Sequence, residues 1–172
     1  MHMLFRFILL FLKRNLQPKA KIEETTEIQM RVLPSDLDFL LHMNNGVYFS
    51  FMDFGRMDMI YRNGLFDIAQ KKGWYGVVAG ETIKFKKSLE LWNKFTLRTE
   101  LKGWDERYFY ISQKFIYKEN VMATGLVKIR FLKKAGGTVS IPEIMAEFKN
   151  APSLQNDELS KEWYDLESKF LA

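Results

Sequence analysis

The chain has 172 residues, a net charge of +5 and no cysteine, which fits one domain and excludes disulfides, thiolate metal sites and a cysteine nucleophile. Hydrophobic residues make up 47% and aromatics 15%, so a disordered chain is excluded as well. The basic balance favours an anionic partner such as a phosphate-bearing ligand, acidic lipid or nucleic acid, although so modest an excess is common in proteins that bind none of them.

Met3 to Leu12 is apolar except for Arg6, and Lys13 and Arg14 follow. As a helix this segment reaches about 15 Å, half of the ~30 Å hydrocarbon core, so it cannot span a bilayer. Asn15-Leu16-Gln17-Pro18 supplies no small-residue cleavage site. Two readings remain: a helix packed on the body or on a partner subunit, or a peripheral membrane contact through Met3–Leu12, with His2, Arg6 and Lys13 on one face. The length favours packing on protein. The expected division is a helix over residues 1–20 and a single domain over residues 21–172. Absence of cysteine suits a cytoplasmic setting, with the N-terminal helix as the element for any membrane association.

Glu27 to Val32 alternates polar and apolar residues, the period of a half-buried strand, and Pro34 closes it. A polar, turn-forming loop follows, with Asp36, Asp38, His42, Asn44, Asn45 and Gly46. Asn44 or Asn45 suits a helix N-cap. Tyr48, Phe51, Met52, Gly55 and Met59 then recur at helical spacing, and Phe49, Phe54 and Ile60 lie off that stripe. A helix apolar on more than one side is a buried one. Gly55 costs about 1 kcal/mol against Ala in a helix, which points to close backbone packing there. The helix should end near Asn63-Gly64, and Leu65 to Lys72 reads as a short second helix. Gly73, Gly76 and Gly80 punctuate the next stretch.

The remainder reads mainly as sheet. Glu81–Leu89, Phe95–Leu101, Tyr108–Tyr117 and Val121–Lys133 alternate, and the last three form a meander separated by turn signals. Gly136-Gly137 should end the sheet, with helices over Pro142–Lys149 and Asp157–Leu171 and a link over Ser153–Asp157. One strand, a buried helix and a run of antiparallel strands make an α+β layout.

The pattern D-x-D-x-x-x-H-M-N-N-G-x-Y from Asp36 to Tyr48, followed by M-D-x-G-R from Met52 to Arg56, resembles the hotdog-fold acyl-CoA thioesterases. Within them it is similar to the 4-hydroxybenzoyl-CoA thioesterase-like group, in the branch of thioesterase superfamily member six. Ile83-Lys84-Phe85-Lys86-Lys87-Ser88-Leu89 and Gly103-Trp104-Asp105 resemble that branch too. The resemblance covers roughly Glu27 to Phe131. It implies an antiparallel sheet wrapped around one long helix, assembly as a homodimer or dimer of dimers, and hydrolysis of a small-molecule acyl thioester. No cofactor is implied, CoA entering as part of the substrate. Many relatives carry Gly where this chain has Leu41. Leu does not adopt φ > 0 cheaply, so the loop backbone should differ here.

A carboxylate at the mouth of an apolar cleft can attack a thioester carbonyl or activate a water. Asp38 is the candidate, and in the resembling enzymes the second Asp of D-x-D plays this part. Its structural alternative is an Asx turn onto nearby amides. Asp36 is assigned to the turn. Free amides around Asn45 to Val47 can hold an oxyanion. His42 is a candidate for orienting water or carbonyl, against a backbone-bonding role. The catalytic candidates are thus Asp38, His42 and Asn45, and the substrate-binding candidates Asn44, Gly46, Val47 and Tyr48. Asp53 is the reserve carboxylate, its alternative being an ion pair with Arg56. Lys84, Lys86, Lys87, Arg130, Lys133 and Lys134 could meet CoA phosphates or simply protect strand edges. No metal-ligand spacing, nucleotide-binding glycine pattern or nucleic-acid module is present in the sequence. The other two function classes kept open are a non-catalytic acyl-CoA binding module and a membrane-peripheral protein.

Overall fold

The computed structural model describes residues 2–13, 16–148 and 157–170. The elements are helix α1 (His2–Lys13), strand β1 (Thr26–Arg31), a single 3-10 turn (Pro34–Asp36), helix α2 (Asn45–Arg62) and helix α3 (Leu65–Lys72). Strands β2 (Trp74–Phe85), β3 (Lys94–Trp104), β4 (Phe109–Tyr117), β5 (Asn120–Lys133) and β6 (Thr138–Val139) follow, then helices α4 (Ile141–Met145) and α5 (Asp157–Phe170). The strands form one antiparallel sheet in the order β1-β3-β4-β5-β2, with β6 added to β5.

Asn44 caps α2: its side-chain oxygen accepts from the Gly46 N–H at 2.8 Å. The predicted stripe of Tyr48, Phe51, Met52, Gly55 and Met59 is buried, and so is Phe54 on the adjoining face. Facing it, Phe95, Leu97, Thr99 and Leu101 of β3 and Phe109, Ile111, Gln113 and Phe115 of β4 alternate inward as their period requires. Fully burying each large apolar side chain contributes roughly 1.5–3 kcal/mol, so this helix–sheet layer dominates the stability. Helix and sheet approach closely at Gly55, where a Cβ would stand 2.5 Å from Thr99 Oγ1 and 2.6 Å from Gln113 Nε2.

Two outer elements complete the layers. Helix α1 lies beside α2, with Phe7 and Phe54 ring centroids 4.2 Å apart. Arg6 anchors it, donating from Nη2 to Asp36 Oδ2 at 2.9 Å and to the Arg31 carbonyl at 3.1 Å. Met3, Phe7 and Leu10 pack on the core while Phe5, Ile8 and Leu12 stay exposed. Among the described residues no helix is long and apolar enough to cross a membrane. The side chains of His2 and Lys13 lie outside the description, so the predicted shared face with Arg6 is not drawn. Helix α5 covers the opposite face of the sheet, with Trp163 against Tyr110 and Lys128 Nζ donating to Glu167 Oε1 at 2.5 Å.

The structure differs from the sequence expectations in four places. First, Gly76 and Gly80 do not interrupt the chain: Trp74 to Phe85 is one edge strand, and the register shift between Val78 and Gly80 is a bulge. An edge tolerates glycine and bulges because its outer ladder is unpaired. Gly73 instead ends α3 in the left-handed conformation. Second, the sheet continues past Gly136-Gly137, whose positive φ values turn the chain back so that β6 pairs β5. Third, α4 stops at Met145, and of the expected link over Ser153–Asp157 only Asp157 is among the described residues, where it begins α5.

The fourth concerns Leu41, which was expected to force a different backbone. It adopts φ 62°, the conformation that glycine favours, and its side chain is exposed. Three hydrogen bonds impose this: Asp38 Oδ1 accepts from the Leu40 and His42 N–H groups, and the Leu41 N–H donates to the Asp38 carbonyl. A non-glycine residue here costs about 1–2 kcal/mol, while glycine loses about 0.5–1 kcal/mol through the unfolded chain. Leu41→Gly is therefore expected to raise stability by about 0.5 kcal/mol in urea unfolding; a loss above about 1 kcal/mol would contradict the account of this turn.

Candidate active site

The Asp36–Asn45 loop is fixed from within. Asp36 is 1% exposed, and its Oδ2 accepts from the Leu33 N–H and from Arg6 while its carbonyl accepts the Asn44 N–H. It is structural, as the turn assignment requires. Asp38 is half-buried. Its Oδ1 serves the Asx turn just described, which leaves Oδ2 with no hydrogen bond among the described residues. The chain then returns to the sheet: Met43 N–H donates to the Leu89 carbonyl, and His42 bridges Glu90. The His42 imidazole is half-buried and has no hydrogen bond to a described side chain or backbone group.

At the helix start the three candidate amides are not equivalent. Gly46 N–H donates to Asn44 Oδ1, and Val47 N–H donates to the Asn44 carbonyl. Only the Asn45 N–H lacks an acceptor among the described residues, and both Asn44 and Asn45 are exposed. Tyr48 is 1% exposed between the Phe85 and Phe115 rings, and its hydroxyl accepts from the Leu89 N–H at 3.2 Å. Burial pushes its phenol pKa up, with the Leu89 bond opposing. Tyr48 is thus a core post that holds the loop to the β2–β3 connection.

An apolar cavity lies away from this loop. A space of about 250 Å³ runs between the C-terminal half of α2, α3, β2 and the inner face of the sheet. Met57, Ile60, Phe66, Trp74, Val78 and Phe131 supply much of its wall, and Asp53, Arg56 and Asn63 its polar groups along α2. Asp53 stands eight residues past Asn45, about 12 Å along the helix, and Asp38 does not line the space. Arg56 pairs with Asp53, lies 3.5 Å from Glu81 Oε2, and donates from Nη1 to Gln113 Oε1 at 3.0 Å. Gln113, fully buried, donates in turn to the Met52 carbonyl and Thr99 Oγ1. Two carboxylates thus share one guanidinium. Burial raises the Glu81 pKa above the usual carboxylate value, Arg56 opposing and Asp53 adding to the rise.

A family model described as "Thioesterase-like superfamily" matches residues 32–149, most of the chain, including the Asp36–Asn45 loop, α2, α3 and strands β2 to β5. The chain belongs to the thioesterase-like superfamily.

Among superfamily relatives, the THEM6 protein of Xenopus laevis is 42% identical over 112 residues, covering 64% of this chain and 54% of that protein. The THEM6 protein of Danio rerio is 35% identical over 128 residues, covering 74% and 63% respectively. The chain therefore matches between about half and two thirds of these relatives' own length. A probable thioesterase from Escherichia coli superposes with a TM-score of 0.66 at 20% identity, covering 70% of this chain and 93% of that one. A gentisyl-coenzyme A thioesterase gives 0.64 at 20% identity, covering 70% and 99%. At such identity the likeness concerns the fold, and it establishes the expected hotdog arrangement.

Sequence reading brought Asp38, His42 and Asn45 together, and the structure places them on one loop. It missed Glu81 and Gln113 beside Arg56. For Gln113 a signal existed, since an amide among Phe109, Ile111 and Phe115 on an inward face must be hydrogen-bonded. The cavity left no local signature.

Proposed function

We propose that the chain hydrolyses acyl thioesters, with the acyl group in the α2–β2 cavity and Asp38 as the reacting carboxylate. The cavity carries the reading: a partly open apolar space with the Asp53 carboxylate in its lining, in the thioesterase-like superfamily, suits an acyl tail joined to a polar carrier. Asp38 Oδ2 would attack the thioester carbonyl carbon, or take the proton of the water that does. The oxygen charge that develops would meet the Asn45 N–H at the positive end of α2. If Asp38 attacks, collapse breaks the C–S bond, CoA leaves as thiolate and water hydrolyses the acyl–Asp38 anhydride to the acid. If water attacks, collapse gives the acid directly, and the proton taken by Asp38 passes to the departing thiolate. His42 would orient that water. An acyl-CoA panel followed by thiol release tests the reading.

Because Asp38 and the cavity of one chain are apart, this assignment needs a second copy to bring a loop to the cavity rim. The twelve-residue strand β2 is the open edge beside that rim, with Tyr75, Val78 and Phe85 more than 40% exposed. A long apolar edge calls for a partner. The expected result in sedimentation at micromolar concentration is a dimer or a larger even assembly; a monomer that still hydrolyses acyl-CoA would remove Asp38 from the reaction. A second reading then applies, favoured by the lining of the cavity: Asp53, already at the rim, would be the base.

A further inference from the structure

Two tight turns stand side by side just ahead of α2. Leu37 bridges Met43 and the Asp38 N–H donates to the His42 carbonyl, so Phe39, Leu40 and Leu41 form the tip of the first. His42 bridges Glu90, and the Glu90 carbonyl accepts the Asn93 N–H, so Leu91 and Trp92 form the tip of the second, in the β2–β3 connection. All five side chains are exposed, Phe39 at 91%, and none packs into the core. A single apolar residue on a surface needs no explanation, but five on two adjoining tips make a patch.

Leu41 and Trp92 both hold positive φ, 62° and 63°. That conformation is open to Gly and Asn at little cost and is uncommon for bulky residues. A large side chain that is exposed at such a position returns nothing to the fold, so what offsets its cost lies outside the chain.

The neighbouring charge is basic. Lys86 and Lys87 share the connection with Leu91 and Trp92, and Lys94, which opens β3, pairs in register with Arg31 of β1. All four are exposed, and none forms an ion pair with a described residue. Against them stand Glu90 and the half-buried Asp38, whose Oδ1 is held in its own turn. Apolar tips beside unpaired cations suit the boundary of an anionic bilayer, where the tips enter the acyl region and the cations meet lipid phosphates. A second copy of the chain suits them less. A two-fold contact sets a patch against itself, lysine facing lysine, and lysine is depleted in protein interfaces.

We propose that the Phe39-Leu40-Leu41 and Leu91-Trp92 tips dock the protein on an anionic membrane surface. The docking does not depend on hydrolysis or on Asp38 as a catalyst, although it would hold that loop at a surface into which acyl chains partition. Helix α1 also exposes Phe5, Ile8 and Leu12, so the test has to separate the two surfaces.

The full chain is sedimented with vesicles of phosphatidylcholine, with and without phosphatidylserine. Trp92 serves as a depth probe, because Trp74, Trp104 and Trp163 are buried. The expected result is binding to the phosphatidylserine vesicles, with fluorescence quenching by acyl-brominated lipid that is lost in Trp92→Asn. Combining Phe39→Ser, Leu41→Gly and Trp92→Asn should lower the partition coefficient by about tenfold or more. Glycine and asparagine suit positive φ, so the Tm of this variant should not fall. Lys86→Gln with Lys87→Gln should cost about tenfold on the anionic vesicles only. Loss of binding in the turn variant supports the proposal whether or not Phe5→Gln with Leu12→Gln also binds less. Binding that the turn variant keeps and the helix variant loses would overturn it, as would binding without quenching of Trp92 or no binding to either vesicle. A dimeric parent that binds no vesicle and becomes monomeric in the turn variant would make the patch a subunit interface, which overturns it too.

Discussion

Gly55→Ala is expected to destabilise the protein by about 3 kcal/mol, where the same change in an exposed helix would gain about 1 kcal/mol. The added Cβ would meet Thr99 Oγ1 at 2.5 Å, Gln113 Nε2 at 2.6 Å and the Leu97 side chain at 2.9 Å. None of the three can yield cheaply. Thr99 and Leu97 sit on β3 in the centre of the packed layer, and Gln113 holds Thr99, the Met52 carbonyl and Arg56 at once. Relief means moving α2 off the sheet or breaking that chain of hydrogen bonds, and a buried polar group left unpaired costs a further 1–3 kcal/mol or so. The check is urea unfolding of parent and variant, with Thr99→Ala in the same chain recovering part of the loss. A Gly55→Ala protein as stable as the parent would mean that the helix rides higher on the sheet than the structure has it.

That contact shows where sequence reasoning reaches. Gly55 in a buried stripe announced a close approach, because its helical cost has to be offset by something. It did not announce Thr99 and Gln113, which come from strands more than 40 residues away. The strand faces of β3, β4 and β5 were legible because alternation reports directly on burial. The single strand from Trp74 to Phe85 was not, since Gly76 and Gly80 look like punctuation and only the pairing with β5 makes them a continuous edge. The same limit applies to the site. Asp36 as a turn residue follows from local chemistry, but its ion pair with Arg6 links positions 30 residues apart. Asp38, His42 and Asn45 could be named from the pattern they form, whereas the cavity arises only once α2, α3 and β2 are packed together.

The second large effect is expected at Asp38. Asp38→Asn preserves size and leaves Oδ1 to hold the Leu40 and His42 amides, so the loop and the Tm should change little. What it removes is the ionised Oδ2, and with it the base or nucleophile. Loss of acid–base assistance lowers turnover by about 10²-fold or more. Asp53→Asn serves as the comparison: it unties one carboxylate from Arg56 at the cavity rim, and should alter KM more than kcat if that residue only shapes the entrance. The most direct measurement is kcat/KM for thiol release across the acyl-CoA panel, made on parent, Asp38→Asn and Asp53→Asn under one set of conditions. The account predicts measurable hydrolysis by the parent, a drop of at least about 10²-fold in kcat for Asp38→Asn, and a smaller one for Asp53→Asn. Full activity in Asp38→Asn, or a parent that binds acyl-CoA and turns over none of it, would contradict it; the first result would move the chemistry to Asp53, and the second would make the chain an acyl-CoA binding module.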